Sequence, residues 1–124
     1  MRIDHINIAA PADLLASVRD FYCGVLELED GPRPDFGVPG YWLYGDGKPI
    51  IHLMESDHHY PADKPYYLDH IAFEVLDFDG YIARLNALGV EYSIREIPTY
   101  GISQVFCKDP CGNGVEANIA TGSG

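Results

Sequence analysis

An internal repeat limits the folds open to this chain more than any other feature of its sequence. The segment Ile3-Asp4-His5-Ile6 returns in the middle of the chain as Leu68-Asp69-His70-Ile71. His52 follows the first histidine by 47 residues, and Glu116 follows the second by 46, each within a strand-like segment. A repeat that returns metal-ligand residue types at matched offsets predicts two similar modules that face one another across one site.

Length and composition indicate one small globular domain built from these modules. The chain has 124 residues, 47% of them hydrophobic and 22% charged, which is typical of globular proteins. Either half alone would bury little apolar surface. We therefore predict a single domain over residues 1–124, with module 1 at residues 1–57 and module 2 at residues 66–124.

The charge balance argues against several classes of partner. The net charge is −11, from 19 acidic and 8 basic residues, whereas nucleic acids and anionic membranes attract clustered Lys and Arg. No apolar stretch approaches the roughly 20 residues that span a bilayer, and the first residues read as a strand and not as a signal peptide. The three cysteines include no CxxC pair, which indicates a reducing, cytoplasmic location.

Apolar periodicity predicts the order β-α-β-β-β in each half, and hence an α+β fold. In the first half we expect a strand at 2–9, a helix from Pro11 to about Gly24, a short strand at 26–29, and strands at 41–44 and 49–55 around the turn 45–47. In the second half we expect strands at 66–76, 90–97, 101–108 and 114–119. Between the first two of these strands we expect a helix from about Asp79 to Leu88, with Asp77 as its N-cap and Gly89 after its end.

Four metal-ligand residue types fall on the strand faces opposite the apolar residues. They are His5, His52, His70 and Glu116. Because the apolar faces are expected to pack on the helices, the other faces are free to line a cleft. Three imidazoles and one carboxylate suit a divalent transition metal, and the sequence does not choose among zinc, nickel, cobalt, manganese and iron.

The chain resembles the vicinal oxygen chelate superfamily, which includes glyoxalase I, extradiol dioxygenases and bleomycin-binding proteins. The resemblance covers essentially the whole chain and is carried by the two Asp-His-Ile repeats and the segment 104–116, with Asp109-Pro110-Cys111-Gly112-Asn113 at its centre. It implies two βαβββ modules forming an open, eight-stranded cleft around a metal, and a small-molecule substrate that binds through vicinal oxygens. It also implies a homodimer in which the site can be shared between chains. His5, His70 and Glu116 match the usual ligand triad, and His52 matches the fourth position.

The first functional expectation is a glyoxalase-like lyase or isomerase, in which a metal polarises a carbonyl and a base removes the neighbouring proton. Glu116 is the first candidate for the base if it can leave the metal transiently, and Glu74, on the same cleft face, is the second. The resemblance does not favour standard, glutathione-dependent glyoxalase I. His52 stands where that enzyme has a glutamate ligand, and Ala9 stands where it has an arginine that helps to hold glutathione.

Two other classes stay open, so the sequence alone does not establish an enzyme. His5, His70 and Glu116 would form the 2-His-1-carboxylate set of a ring-cleaving, extradiol-type dioxygenase, with Tyr100 and His58 as possible acid–base groups. A drug- or metabolite-binding resistance-type protein would instead use aromatic surface, for which the candidates are Phe36, Tyr41, Trp42, Tyr44, Tyr60, Tyr66 and Tyr67. The intact set of ligand residue types favours an enzyme.

Overall fold

The structure, a computed structural model, describes residues 1–58 and 68–121 and divides into two compact units, Met1–Pro61 and Ala62–Gly124. The first unit contains β1 (Ile6–Ala10), α1 (Ala12–Val25), β2 (Glu29–Gly31), β3 (Gly40–Gly45) and β4 (Lys48–Glu55). The second contains β5 (His70–Glu74), α2 (Phe78–Ala87), β6 (Ser93–Ile97), a 3-10 turn (Pro98–Tyr100), β7 (Ile102–Lys108) and β8 (Gly114–Ala120). The α+β class and the two βαβββ modules are confirmed.

The two sheets have the same topology, so the repeat seen in the sequence is also a structural one. Their strand orders are β1-β4-β3-β2 and β5-β8-β7-β6. In each sheet the first strand runs parallel to the last, and the helix provides the crossover that a parallel pair requires. His52 lies between Asn7 and Trp42 on the neighbouring strands, as Glu116 lies between Ala72 and Phe106. His52 and Glu116 therefore occupy equivalent positions in their units.

Helix α1 covers one face of the first sheet. Its buried side chains follow the spacing expected for one helical face and are Leu15, Val18, Tyr22 and Val25. They pack against strands β3 and β4, whose Leu43, Ile51 and Leu53 are at most 1% exposed. Each buried aliphatic side chain of this kind contributes about 1.5–3 kcal/mol to folding. The opposite face of the sheet, called here the site face, carries His52.

Helix α2 approaches β7 of the second sheet through its buried face. Tyr81 and Leu85 are fully buried on one face of the helix, and the Tyr81 hydroxyl lies beside the Cys107 thiol of β7. The Asp77 side chain accepts a hydrogen bond from the Gly80 N–H at 3.2 Å, which confirms the predicted N-cap. Neither described helix has the length and apolar composition that a membrane span requires.

The structure differs from the predicted boundaries mainly around the end of α1. The helix continues through Gly24 to Val25, and Glu27 adopts a left-handed backbone conformation with φ 58°. The Leu28 N–H donates to the Tyr22 carbonyl at 3.4 Å, and Leu28 is 8% exposed. The Leu28 backbone is thus bonded to the helix end and not to a neighbouring strand, and β2 begins three residues later than predicted.

Three further strands are shorter than predicted by at least two residues: β1, β6, and β5, which covers His70–Glu74 of the predicted 66–76. Strand β1 starts at Ile6 and not at residue 2, and β6 starts at Ser93 and not at residue 90. Residues 66 and 67 of the predicted fifth strand lie outside the described residues. The missing ends carry no ladder partners: the pairing with β4 starts at Ile6, and the pairing with β7 starts at Ser93.

Candidate functional site

The site face of the first unit brings His5 and His52 into contact. His5 directly precedes β1, and its ring stacks on the His52 ring with centroids 3.7 Å apart. The Trp42 ring stacks on His52 at 4.2 Å. Because β4 lies between β1 and β3, His52 is held between the two other rings. Three residues far apart in sequence therefore form one stack.

Asp4 orients the ring of His5. Its Oδ2 lies 2.7 Å from His5 Nδ1, and Lys48 Nζ lies 3.7 Å from Asp4 Oδ1. The hydrogen bond to His5, followed by the charge of Lys48, lowers the pKa of Asp4. Because an ionised carboxylate only accepts hydrogen bonds, the pair favours the tautomer with its proton on Nδ1. The lone pair of His5 is then on Nε2, where a metal can bind it.

His52 is oriented differently. Its Nε2 lies 3.2 Å from the Pro49 carbonyl oxygen, which accepts a hydrogen bond and places the lone pair on Nδ1. Burial, reinforced by the nearby His5 ring, lowers the pKa of His52. The nitrogen that His52 can offer to a metal is therefore Nδ1, in contrast to Nε2 of His5.

The second unit brings His70 and Glu116 together. Asp69 Oδ2 lies 2.8 Å from His70 Nδ1, and this hydrogen bond raises the pKa of His70. Glu116 Oε1 lies 3.3 Å from His70 Nε2, while Gln104 Nε2 donates to Glu116 Oε2 at 3.3 Å. Glu116 is only 6% exposed. A buried carboxylate thus faces the free ring nitrogen of a histidine whose other nitrogen is bound.

These donors fit a divalent transition metal. A metal-ligating histidine usually donates its second N–H to a carboxylate or carbonyl, and all three histidines have such a partner. Within the described ranges 1–58 and 68–121, the predicted ligands meet as pairs, and no group of three or more His, Cys, Asp or Glu side chains is close enough to hold an ion. The pairs are His5 with His52 and His70 with Glu116.

The other predicted site residues lie in more exposed positions. Glu74 is exposed at the end of β5, opposite Asn118, and shares the site face with His70. Tyr100 is 80% exposed in the 3-10 turn. His58 contacts Ser56 Oγ through its backbone N–H and not through its ring. Ala9 lies on the site face of β1, opposite Met54.

Of the predicted aromatic surface, Phe36 and Trp42 lie together, with ring centroids 6.0 Å apart. The Tyr41 ring packs under the Arg19 guanidinium at 4.6 Å, and the Tyr44 hydroxyl donates to the Pro32 carbonyl at 2.6 Å. These two tyrosines support the loop and helix and do not extend the Trp42 surface. Tyr60, Tyr66 and Tyr67 lie outside the described residues.

Sequence reasoning missed three contributors to the site, and it named a fourth, Trp42, only as aromatic surface and not as a partner of His52. Asp4 and Asp69 orient the repeated histidines, Gln104 holds Glu116, and Trp42 stacks on His52. The aspartates had a usable signal, because an Asp directly precedes the histidine in both copies of the repeat. Gln104 and Trp42 had no comparable signal, since both contacts depend on strand register.

Comparisons with known proteins agree with this fold. A family model described as Glyoxalase/Bleomycin resistance protein/Dioxygenase superfamily matches residues 2–117. A solved glyoxalase family protein from Bacillus anthracis is 27% identical with a TM-score of 0.75, covering 97% of this chain and 95% of that one. Comparison with curated proteins gives no match.

Two further solved structures show the same fold at lower identity. One is a mutant of the fosfomycin resistance protein FosX from Listeria monocytogenes, complexed with Mn(II) and 1S,2S-dihydroxypropylphosphonic acid. It is 22% identical with a TM-score of 0.71, covering 94% of this chain and 88% of that one. The other is lactoylglutathione lyase from Agrobacterium tumefaciens, which is 20% identical with a TM-score of 0.66, covering 99% and 96%.

Proposed function

The chain belongs to the Glyoxalase/Bleomycin resistance protein/Dioxygenase superfamily, and on that premise we propose that it is a divalent-metal-dependent lyase or isomerase of the glyoxalase type. Its substrate is a small molecule that binds through neighbouring oxygen atoms. Standard glutathione-dependent glyoxalase I is not proposed, because His52 and Ala9 replace a glutamate ligand and a glutathione-holding arginine of that enzyme.

The repeated Asp–His pair carries this proposal. Asp4 with His5 and Asp69 with His70 form the same hydrogen bond at equivalent places, at 2.7 and 2.8 Å. Each bond prepares Nε2 as a metal ligand. The proposed ligands are His5, His52, His70 and Glu116. The ion is one of zinc, nickel, cobalt, manganese and iron, and the Mn(II) of the FosX complex supports this class of ion.

The chemistry assigned to the chain's own residues is proton transfer. A bound divalent ion supplies a Lewis acid that withdraws electron density from a substrate carbonyl. Glu116 is the proposed base for the proton on the neighbouring carbon, provided that it leaves the metal transiently; Gln104 holds one of its oxygens while the other faces His70. Glu74 is the alternative base, and its exposed carboxylate lies on the same face of β5 as His70.

Metal analysis tests the ligand assignment. Protein purified without added metal should retain a transition ion, and His5→Ala and Glu116→Ala should lose it, because each removes a donor. His58→Ala is the matched control, since His58 is an exposed histidine whose hydrogen bond to Ser56 comes from its backbone N–H. Protein that takes up no metal after soaking in nickel, zinc, manganese or iron would contradict both the lyase or isomerase function and the dioxygenase function. The drug- or metabolite-binding alternative would then remain.

Proton exchange tests the reaction. The metal-loaded protein should catalyse deuterium exchange at a carbon beside a carbonyl, followed by NMR with small hydroxy- or dicarbonyl compounds. With metal content measured and matched to the parent protein, Glu116→Gln should abolish exchange if Glu116 is the base, whereas Glu74→Gln should abolish it if Glu74 is. Exchange that survives in both variants would show that neither carboxylate is the base.

One observation favours the dioxygenase as a second candidate. The His52 ring is stacked between His5 and Trp42, and its free nitrogen is Nδ1, whereas the two repeated histidines offer Nε2. If His52 keeps these contacts, His5, His70 and Glu116 remain as a 2-His-1-carboxylate set suited to ferrous iron. A His52→Ala variant that retains iron and consumes oxygen with catechols would support this reaction, whereas loss of metal in that variant would support the four-ligand site.

We also propose that the protein is a cytoplasmic homodimer, and its three free cysteines are compatible with a reducing compartment. Light scattering would give the oligomeric state. Metal binding is then measured in a mixture of the His5→Ala and Glu116→Ala proteins, to determine whether the two ligand pairs of a site come from one chain or from two. Recovery of metal binding in the mixture would show two chains, because one site of the mixed dimer would be intact.

A further inference from the structure

The loop between β2 and β3 forms a pocket that the proposed metal chemistry does not use. The cavity has a volume of about 550 Å³ and is lined by loop residues, including Arg33, Asp35 and Gly40. All of its lining belongs to the first unit. Arg33 is the only basic residue that lines it.

The Arg33 guanidinium is incompletely satisfied. Its Nη1 donates to the Val38 carbonyl at 3.0 Å, but its Nε is buried without a hydrogen-bond partner. Among the described residues Arg33 forms no ion pair, although the chain carries 19 acidic side chains. A buried donor without an acceptor is unfavourable, and guanidinium groups are well suited to bind oxyanions through two parallel hydrogen bonds. Nη2 donates no hydrogen bond among the described residues, so Nη2, and not the buried Nε, is the donor open to an anion.

Asp35 lines the same pocket, but its carboxylate is used by the loop. Its Oδ1 accepts a hydrogen bond from the Gly37 N–H at 2.9 Å, which stabilises the turn that precedes β3. Gly37 has φ +77°, the left-handed conformation that this turn requires. The carboxylate thus shapes the pocket without neutralising Arg33.

Gly40 provides the space that the guanidinium occupies. A Cβ at position 40 would lie 2.8 Å from Arg33 Nη2, closer than real Cβ atoms approach a neighbour, and would also meet the Leu53 carbonyl. Gly40 lies two residues before Trp42 on β3, so its missing side chain would point to the site face. The guanidinium therefore lies on the face that carries His52.

A continuous set of contacts joins Arg33 to the proposed ligands of this unit. The guanidinium lies 5.0 Å from the centroid of the Phe36 ring, Phe36 lies 6.0 Å from Trp42, and Trp42 stacks on His52. The route is aromatic, with the Phe36 and Trp42 rings tilted by 40°, and it runs from a cation at one end to imidazoles at the other. It suits a small molecule with an anionic group at one end.

We propose that Arg33 binds an anionic group of the substrate, a carboxylate, phosphate or phosphonate, at a distance from its oxygen-chelating end. This inference rests on the proposed function in one respect, because it takes the bound molecule to be the substrate of that enzyme. The anion site itself consists only of residues in the first unit. It can therefore be tested on protein from which all metal has been removed.

Trp42, the single tryptophan of the chain, provides the signal. Inorganic phosphate and acetate are titrated into metal-free protein while the tryptophan emission is recorded, and calorimetry gives the stoichiometry. We expect saturable binding of at least one of these anions. The affinity should fall about tenfold or more in Arg33→Gln, and it should fall less in Arg33→Lys, which keeps the charge but loses the paired N–H donors of the guanidinium. Asp35→Asn should bind more tightly, because it removes a repulsive charge and keeps an oxygen acceptor for Gly37.

Arg95→Gln is the matched control, because Arg95 lies over the Phe106 ring of the second unit at 6.0 Å in a comparable stack. Binding that is equally weakened in both arginine variants, or unchanged in Arg33→Gln, would contradict the proposal, as would the lack of saturable binding of either anion. Metal content distinguishes failure of the anion site from failure of the proposed function. Arg33→Gln should retain metal at the level of the parent protein, whereas a parent protein without metal would contradict the function and leave the anion site standing.

Discussion

Asp4 and Asp69 each accept a hydrogen bond from the histidine that follows them, and both carboxylates are largely exposed, at 75% and 93% of their side-chain surface. Such exposed pairs contribute little to folding stability. Their effect is local: they select the tautomer of the neighbouring ring and direct its Nε2 away from the aspartate. At the scale of single residues, the repeated Asp–His is therefore best understood as preparation of a ligand.

Asp4→Asn and Asp69→Asn test this role. Each variant should lower metal affinity about 10- to 100-fold, the usual effect of losing a partner of a ligating histidine, with a small change in stability. Competition with a chromophoric chelator would measure the affinity. Asp57→Asn, which replaces another exposed carboxylate, is the control. Unchanged affinity in both repeat variants would show that the aspartates do not act through the histidines.

Gln104 has a comparable role towards Glu116. Its amide donates to Glu116 Oε2 at 3.3 Å and leaves Oε1 facing His70. Replacement by Leu keeps a side chain of similar size and removes the donor, so we expect metal affinity to fall about tenfold. Gln104→Glu should lower it further, because two carboxylates would then be adjacent. Equal affinities in Gln104→Leu and the parent protein would contradict a positioning role.

At the scale of elements, the hairpin between β3 and β4 places His52 relative to its neighbours. Asp46 and Gly47 have φ values of 52° and 77°, as in the type I′ turns that match the twist of a hairpin. The resulting register puts Trp42 opposite His52. Because a shift of one residue would turn His52 to the helix side, the turn is part of the site's construction.

Gly47→Ala tests the contribution of this turn. No atom lies within 4 Å of the added Cβ, so the loss should come from the positive φ alone and amount to about 1 kcal/mol of unfolding free energy. Urea denaturation would measure it. Gly47→Asn should lose less, because Asn tolerates the left-handed conformation better. An equal loss in both variants would indicate a cause other than backbone conformation.

Local patterns predicted the elements well where local forces dominate and less well where packing does. The apolar spacing of α1 and the Asp77 cap were both readable, since each depends on residues within one or two turns. The end of α1 was misplaced at Gly24 because Glu27 adopts the left-handed conformation that glycine normally takes. The long-range burial of Leu28 accompanies that choice.

At the scale of the whole molecule, three weak acids share a common response to folding. Burial raises the pKa of Tyr81, of Cys107 and of Cys111, the last to about 11 from an ordinary value of 9.0. The unfolded chain therefore releases these protons at lower pH than the folded protein does. The stabilising effect of the protonated groups is intact below pH 9.0 and is lost as the pH rises through 9.0 towards the folded values.

Thermal unfolding between pH 7 and 11 would measure this effect. The melting temperature should fall above about pH 9, where unfolding begins to release thiol protons. Cys111→Ser, which removes the titrating group from a half-buried position, should reduce the slope of that fall. If the slope is unchanged in both Cys111→Ser and Tyr81→Phe, the loss of stability at alkaline pH comes from other groups.

The sequence by itself determined the repeat, the βαβββ order, the α+β class and the residue types available for a metal, because strand and helix periodicities are local properties of a chain. Only the tertiary structure showed which side chains meet. His70 and Glu116 are 46 residues apart in sequence, and Trp42 stacks on a histidine ten residues away across a hairpin. Arg33 reaches the space left by Gly40 through the path of a loop. Such contacts depend on strand register and loop path, which arise from packing between distant segments and have no signature within either segment alone.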